Sequence, residues 1–264
     1  MDLQLMGKTA VVTGSTSGIG QAIAQALVNE GATVVVNGRD ADRTKEAANS
    51  IQGPGKAVPV HGDVGSAAGV AEFLERLKDV GDVDILVNNA GIFQPTPFFE
   101  IPDAEWSRFF EINVMSGIRL SRALAPGMQE RGWGRIIFIS SESGISIPDE
   151  MVHYGMTKTA QLSVMRGLAK TLRGTGVNVN AVLPGPTWTV GVAELVAQLA
   201  EDEGMSAEEM RKQFIRRFRP DSLIERFIEP TEIAAMVAYA VSPVSSATTG
   251  AALRVEGGLV DDLG

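Results

Sequence analysis

Residues 9–20 read TAVVTGSTSGIG, and the chain runs on into QAIAQALVNEG. The first four positions are small or β-branched, the composition of a short buried strand. Gly14, Gly18 and Gly20 follow in the pattern G-x-x-x-G-x-G, which lets the backbone turn where a side chain would obstruct it. Ile23 and Leu27, with alanines between them, then fall at helical spacing. A strand that passes through glycines directly into a helix is the opening half of a strand–helix–strand unit. The fold depends on whether the rest of the chain repeats it.

It does. TVVVNG (33–38), AVPVHGD (57–63), DILVNNAG (84–91), RIIFISS (135–141), VNVNAVLPG (177–185) and GAALRVEGG (250–258) join TAVVTG (9–14) as seven expected strands. Several are apolar almost throughout, as strands covered on both faces must be. Helical patterns separate them, such as Leu162, Met165, Leu168, Ala169 and Leu172. The alternation predicts an α/β fold, a doubly wound parallel seven-stranded sheet that is Rossmann-like, with helices on both faces. A single domain over 1–264 is expected at this length.

One region breaks the rhythm. Between Pro186 and Pro230 no strand is expected, and VAELVAQLAEDEG and SAEEMRKQFIRRF are both amphipathic, with Met210, Phe214 and Phe218 on one stripe. As packing, this is a pair of helices laid on the core with their charges in solvent. As function, it is a helical lid over a ligand at about 187–229. The two readings are compatible.

Composition narrows the classes. With 23 Lys+Arg against 32 Asp+Glu the net charge is −9, which argues against nucleic acid or an anionic membrane as the main partner. The absence of cysteine removes disulfides and thiolate chemistry, and with only His61 and His153 no metal site is expected. No apolar run approaches the ~18 residues that span a bilayer, and MDLQLMGKTAVVTG lacks the pattern of a secretion signal. A soluble, cytoplasmic protein is the expectation.

The glycine turn gives the first chemical reading. Gly14, Ser15, Thr16, Ser17, Gly18, Ile19 and Gly20 would wrap a pyrophosphate, whose charge the free N–H groups of the following helix stabilise. The second expected strand ends Asn37-Gly38-Arg39-Asp40. A carboxylate at the place of Gly38 would accept from ribose hydroxyls and repel a 2′-phosphate. Glycine followed by Arg39 instead suits that phosphate, so NADP is favoured over NAD. Asp40 reads as the cap of the next helix.

The second reading comes from HYGMTK, residues 153–158. Lys158 stands one helical turn beyond Tyr154, so the two share a face. A nearby ammonium lowers the pKa of a phenol from about 10, which would let Tyr154 exchange a proton with a carbonyl or alcohol near neutral pH.

With these residues in place, the chain resembles the short-chain dehydrogenase/reductase family over essentially its whole length. The matching pieces keep the family's order: TGSTSGIG, then GDV at 62–64, NNAG at 88–91, EINV at 111–114, FISS at 138–141, YGMTK at 154–158 and LPGPTWT at 183–189. The resemblance implies an NAD(P)-dependent oxidoreductase that interconverts a ketone or aldehyde and an alcohol. It implies catalytic roles for Asn113, Ser141, Tyr154 and Lys158: Ser141 bonds the substrate oxygen, Asn113 holds a water that links Lys158 to solvent, and Lys158 binds the nicotinamide ribose. It places Asp63 and Val64 around adenine, Asn89, Ala90 and Gly91 beneath the cofactor, and Pro184, Gly185, Thr187 and Thr189 near the nicotinamide. Thr187 departs from the family's frequent Ile or Val. A homotetramer built on helices around 103–130 and 152–174 is also implied.

Two other readings stand beside this one. A non-catalytic dinucleotide-binding sensor or assembly protein could keep the same fold. A nucleotide-sugar epimerase or dehydratase could use a similar Tyr–Lys pair, but such enzymes usually carry a larger C-terminal substrate domain. Lesser candidates are His153 at a pocket rim or oligomer contact, Glu142 as a loop carboxylate or substrate contact, and Phe93, Ile147, Met151 and Trp188 as pocket or packing residues.

Overall fold

The computed structural model describes residues 1–262, and the last two positions of the expected 1–264 domain lie outside them. Seven strands form one sheet: β1 (Thr9–Val12), β2 (Thr33–Val36), β3 (Lys56–Pro59), β4 (Ile85–Asn88), β5 (Gly134–Ile139), β6 (Val177–Pro184) and β7 (Ala252–Val255). Their order across the sheet is β3-β2-β1-β4-β5-β6-β7, and each neighbouring pair is parallel. The order reverses between β1 and β4, which opens a crevice beyond the carboxyl ends of the central strands.

The apolar runs are continuous because successive residues serve opposite faces. Ala10, Val12, Ile85, Val87, Ile137 and Ile139 join one buried cluster with Ile23 and Leu27 of α1 (Gly18–Asn29) and Val237 of α9 (Pro230–Val241). Val11, Leu86, Ile136 and Phe138 join the other, with Phe73 of α3 (Ala67–Leu77), Leu120 of α5 (Ser116–Glu130) and Met165 of α6 (Val152–Thr171). The remaining helices before the sixth strand are α2 (Ala41–Ser50) and α4 (Asp103–Phe110).

The expected strands overran at their carboxyl ends. Thr13-Gly14, Asn37-Gly38, Asn89-Ala90-Gly91 and Ser140-Ser141 all leave the ladder and become the loops at the crevice. Gly14 shows why the ladder stops there, with φ at 60°, a region that ordinary side chains disfavour.

The segment before Pro230 holds α7 (Val190–Asp202) and α8 (Ala207–Phe218). The expected stripe is present: Met210 and Phe214 are buried, with Phe218 against them. These helices do not extend the sheet's cores, as the packing reading expected. With Val196, Ala200 and Phe227 they form a third apolar cluster of their own, because the stripe of α8 meets the apolar face of α7. A capping box between Ser206 and Glu209 starts α8. No helix among the described residues is long and apolar enough to cross a membrane.

Candidate active site

The first turn is welded to the end of β4. Thr13 is buried and its Oγ1 accepts from the amides of Asn89 and Ala90, both at 3.0 Å. Asn89 Nδ2 donates back to the carbonyls of Thr13 at 2.8 Å and Gly14 at 3.0 Å. A Cβ on Gly20 would sit 2.4 Å from the Gly14 carbonyl and 2.5 Å from Asn89 Nδ2, so only glycine admits this crossing. Ser17 precedes α1 without a side-chain cap, leaving the first-turn N–H groups facing the crevice to another acceptor.

Ser15 and Asn37 stand behind the turn. Ser15 Oγ donates to the Val12 carbonyl at 2.6 Å and accepts from the Asn37 amide at 2.9 Å. Asn37 accepts from Gly14 N at 3.3 Å and donates to the carbonyls of Val60 and Gly62, each at 3.2 Å. Their side chains are thus committed to holding the loop's shape. Val64 is buried, while Asp63 is exposed and accepts from Gly65 N at 3.0 Å. Arg39 is exposed and makes no ion pair among the described residues. Asp40 caps α2, accepting from Arg43 N at 2.8 Å. A Cβ on Gly38 would lie 2.5 Å from Thr16 Cγ2 and 2.8 Å from Thr44 Oγ1.

A cleft of about 350 Å³ runs from this turn across the sheet's carboxyl edge. Ser17, Gly18, Ile19, Gly20, Asn89 and Gly91 line one end, and Ser141, Tyr154 and Lys158 the middle. Pro184, Gly185, Thr187 and Thr189 form the wall from β6 to α7. Gly185 passes 2.7 Å, measured from an added Cβ, from the Glu256 carbonyl. Thr187 Oγ1 donates to the Gly185 carbonyl at 2.8 Å, and Thr189 caps α7 by accepting from Val192 N. Of the lesser candidates, Phe93 and Met151 line the cleft. Trp188 packs on Phe227 under the Arg211 guanidinium, and Ile147 is half exposed.

The Tyr–Lys pair sits at the start of α6. Lys158 is buried; its Nζ donates to the Ile139 carbonyl at 2.9 Å and to Gln161 Oε1 at 3.3 Å. Burial pulls its ammonium down from an ordinary 10.5 to about 8. The expectation that Lys158 lowers the Tyr154 phenol is not met in this structure. Burial pushes the phenol above its ordinary range, and the Glu142 charge adds to that push, while Ser141 and Arg219 oppose it. Desolvation outweighs a cation whose bonds are spent elsewhere.

Asn113 lies in a π-helical turn, Glu111–Met115, between α4 and α5, an interruption often found at functional sites. Its side chain accepts from Ile92 N at 2.8 Å and donates to the Ile92 carbonyl and Thr157 Oγ1, each at 3.0 Å. Its own carbonyl accepts from Gln161 Nε2 at 2.5 Å. Gln161 thus joins the Asn113 carbonyl to Lys158 Nζ through one side-chain amide. Helical spacing was the available signal for Gln161, three residues beyond Lys158.

Two charged residues complete the cleft. Glu142 is 5% exposed and accepts from Ser141 Oγ in a short contact and from Ser143 Oγ at 3.1 Å. Arg219, just past α8, reaches Glu142 at 3.8 Å and Glu150 at 3.0 Å. No local pattern marks Arg219 in the sequence, since only the fold brings it there. Ser140 also lines the cleft, and its hydroxyl donates to the Lys158 carbonyl at 2.9 Å. His153 is not at a rim: it is 1% exposed, its ring centre 4.1 Å from that of Phe109 and 6.0 Å from that of Trp106.

A doubly wound sheet, a glycine turn at its switch point and a Tyr–Lys helix along one cleft define a dinucleotide-fold oxidoreductase class. A family model described as short chain dehydrogenase matches residues 8–200. The chain belongs to the short-chain dehydrogenase/reductase family and is an oxidoreductase of it. It is 48% identical over 263 residues to the oxidoreductase YvaG of Bacillus subtilis, covering 98% of each chain. L-sorbose reductase from Gluconobacter frateurii, solved with NADPH and L-sorbose, superposes with a TM-score of 0.94 at 33% identity over 100% of both chains. A 7 alpha-hydroxysteroid dehydrogenase solved with NADH and 7-oxo glycochenodeoxycholic acid gives 0.83 at 31% identity, over 100% of this chain and 98% of that one.

Proposed function

We propose that this chain reversibly reduces a small, neutral ketone or aldehyde to its alcohol with a nicotinamide dinucleotide, NADP(H) in preference to NAD(H). One observation carries the reading: Gly18–Gly20 and Ser141, Tyr154 and Lys158 line the same cleft. The cradle fits a dinucleotide, since the space that a Cβ on Gly20 would fill is already taken by the Gly14–Asn89 crossing, which leaves the outer face of the turn bare backbone. When bound, the dinucleotide supplies or accepts the hydride.

The remaining work falls to the chain. The turn from Gly14 to Gly20 holds the pyrophosphate, with Ser15 and Asn37 shaping it from behind; Asp63 and Val64 flank adenine; Arg39 takes the 2′-phosphate. Asn89, Ala90, Gly91 and the wall from Pro184 to Thr189 hold the nicotinamide half, and Lys158 its ribose. Tyr154 O–H gives its proton to the substrate oxygen in reduction and takes it back in oxidation. Ser141 hydrogen-bonds the same oxygen as negative charge gathers there. Asn113 fixes the loop after β4 and, through Gln161, the lysine.

The substrate's neutrality is read from Arg219. Its guanidinium is shared between Glu142 and Glu150, and the other cation of the cleft, Lys158, is turned to the Ile139 carbonyl and Gln161, which disfavours a carboxylate or phosphate as substrate. Phe93, Met151, Phe214 and Phe227 give apolar walls, and Glu142 and the serines suit hydroxyl groups beside the carbonyl. The sorbose-binding relative is a precedent for such a substrate. Helices α7 and α8 serve as the lid, and α4–α5 and α6 as faces of a cytoplasmic homotetramer.

The test follows NADPH and NADH absorbance separately against hydroxyketones, ketoacids, diketones and the matching alcohols. Turnover of neutral carbonyls, abolished in Tyr154→Phe with dinucleotide binding kept, is the expected result. Full activity in that variant removes the phenol from the mechanism. Dinucleotide binding without turnover on any compound would favour the non-catalytic reading.

A further inference from the structure

Glu142 is a buried carboxyl with no part in the proposed hydride and proton transfers, and it touches Ser141, one of the two hydroxyls that would bond the substrate oxygen. Ser141 Oγ has one proton and two acceptor positions. One acceptor position is taken by Ser143 N at 3.1 Å. The proton is directed at Glu142 Oε2. In that arrangement Ser141 has only a lone pair left for the cleft, and it cannot donate to a carbonyl oxygen.

We propose that Glu142 is a positioning residue whose own proton turns the Ser141 hydroxyl towards the substrate, so that carbonyl reduction requires Glu142 in its acid form. The proposal rests on the reductase reading above. With Glu142 protonated, its O–H donates to the second acceptor position of Ser141 Oγ. The Ser141 proton is then free to point into the cleft, and every position on that oxygen is used. With Glu142 ionised, Ser141 instead accepts from the cleft, which suits an alcohol O–H and hence the oxidation direction. No bond to carbon changes in this switch; one hydrogen bond reverses.

The surroundings favour the acid form. Glu142 faces Ser141 and Ser143 on its own turn, Tyr154 and Lys158 from α6, and Arg219 from the end of α8. Burial is the dominant influence on the carboxyl and raises it above the ordinary range, while the two serines and Arg219 pull the other way. Arg219 opposes burial without cancelling it, because it stands 3.8 Å off and is bound also to Glu150 and to the Phe218 carbonyl. The same guanidinium ties the segment after α8 to the cleft floor, so movement of the α7–α8 segment would change the proton affinity of Glu142.

Two measurements test this. The first is infrared titration of the protein without substrate, in wild type and E142Q. A protonated-carboxyl band missing from E142Q should persist to a pH above the ordinary carboxylate range, and this arm reads whatever the turnover. A Glu142 band already lost at the pH where reduction is fastest overturns the proposal. The second is the pH profile of kcat with NADPH and 2,3-butanedione. Wild type should slow as Glu142 ionises, whereas E142Q, whose amide donates at every pH, should lack that limb. E142L, which can neither accept the Ser141 proton nor ionise, should lack that limb as well, with NADPH affinity and melting temperature recorded as controls for folding. An E142Q profile superimposable on wild type also overturns it. Failure of the reductase reading is told apart by Tyr154→Phe, which would then keep its turnover while the infrared result stands independently.

Discussion

Lys158 Nζ lies 5.4 Å from the centre of the Tyr154 ring, yet both its hydrogen bonds go elsewhere, to the Ile139 carbonyl and to Gln161 Oε1. Gln161 in turn donates to the Asn113 carbonyl at 2.5 Å. The amide therefore clamps two groups of the proposed tetrad in one buried chain, Asn113–Gln161–Lys158. An amide can orient its neighbours but does not pass a proton as a water would.

Gln161→Leu leaves the Asn113 carbonyl and one lysine proton without partners in a buried place. Each unmet group costs about 1–3 kcal/mol, so a loss of that size in stability is expected from chemical denaturation. Turnover should fall with it, because Lys158 is no longer held. Gln161→Glu also loses the donor to the Asn113 carbonyl but keeps an acceptor and adds a counter-charge for Lys158, so it should retain more stability than the leucine variant. Equal stability of Gln161→Leu and wild type would show that the clamp is idle.

Lys158→Met is expected to end catalysis and to leave stability at neutral pH close to wild type or below it. The drop from 10.5 to about 8 corresponds to roughly 3 kcal/mol against folding at neutral pH. Stranding the Ile139 carbonyl and Gln161 Oε1 takes back about 1–3 kcal/mol for each group, which offsets that gain. The sign with pH follows from proton counts: between about 8 and 10.5 the unfolded chain holds a proton that the folded chain has released. Wild type therefore gains stability relative to the variant as pH rises through that window. Melting temperatures of both proteins from pH 7 to 10 check it, and a constant difference would contradict it.

His153 gives the opposite end of the pH scale. Its ring is buried against Phe109 and Trp106, and Nδ1 has no partner among the described residues. Burial lowers its proton affinity below the ordinary 6.5, with Glu105 opposing. As pH falls below that value the unfolded chain takes up a proton that the folded chain resists, so stability drops. His153→Phe should flatten the acid limb of a melting-temperature profile. A limb as steep as in wild type would place the acid sensitivity elsewhere.

Legibility in the sequence tracked what kind of force makes each feature. The seven strands and the stripe on α8 are local patterns of apolar burial, and residues such as Val11 and Met210 announce them. Tyr154 and Lys158 were readable because one helical turn fixes their proximity, and Gly20 because backbone crossings tolerate nothing larger. Strand ends were overcalled at Thr13, where a tertiary bond from Asn89 replaces the ladder, and at Ser141, whose side chain bonds within its own turn to Glu142 and Ser143. The acidity of Tyr154 was not legible. It depends on burial and on Glu142 and Arg219, and Arg219 arrives only when the chain has folded.

The last prediction concerns the adenosine end of the cleft. Arg39 is exposed beside a glycine that closes β2's loop against Thr16 and Thr44. If its guanidinium binds a 2′-phosphate, the charge-assisted bonds are worth about 1.5–3 kcal/mol. Arg39→Asp should then lower the kcat/KM ratio of NADPH to NADH by roughly 10- to 100-fold, by removing the cation and adding a repelling carboxylate. Gly38→Asp tests the same discrimination differently. Its Cβ would stand 2.5 Å from Thr16 Cγ2, closer than packed carbons approach, so the carboxylate cannot enter without displacing the glycine turn that carries Thr16. That variant should weaken both dinucleotides, whereas Arg39→Asp weakens only NADPH. Fluorescence titration with each cofactor separates the two outcomes, and an unchanged NADPH:NADH ratio in Arg39→Asp would mean that the arginine does not read the phosphate.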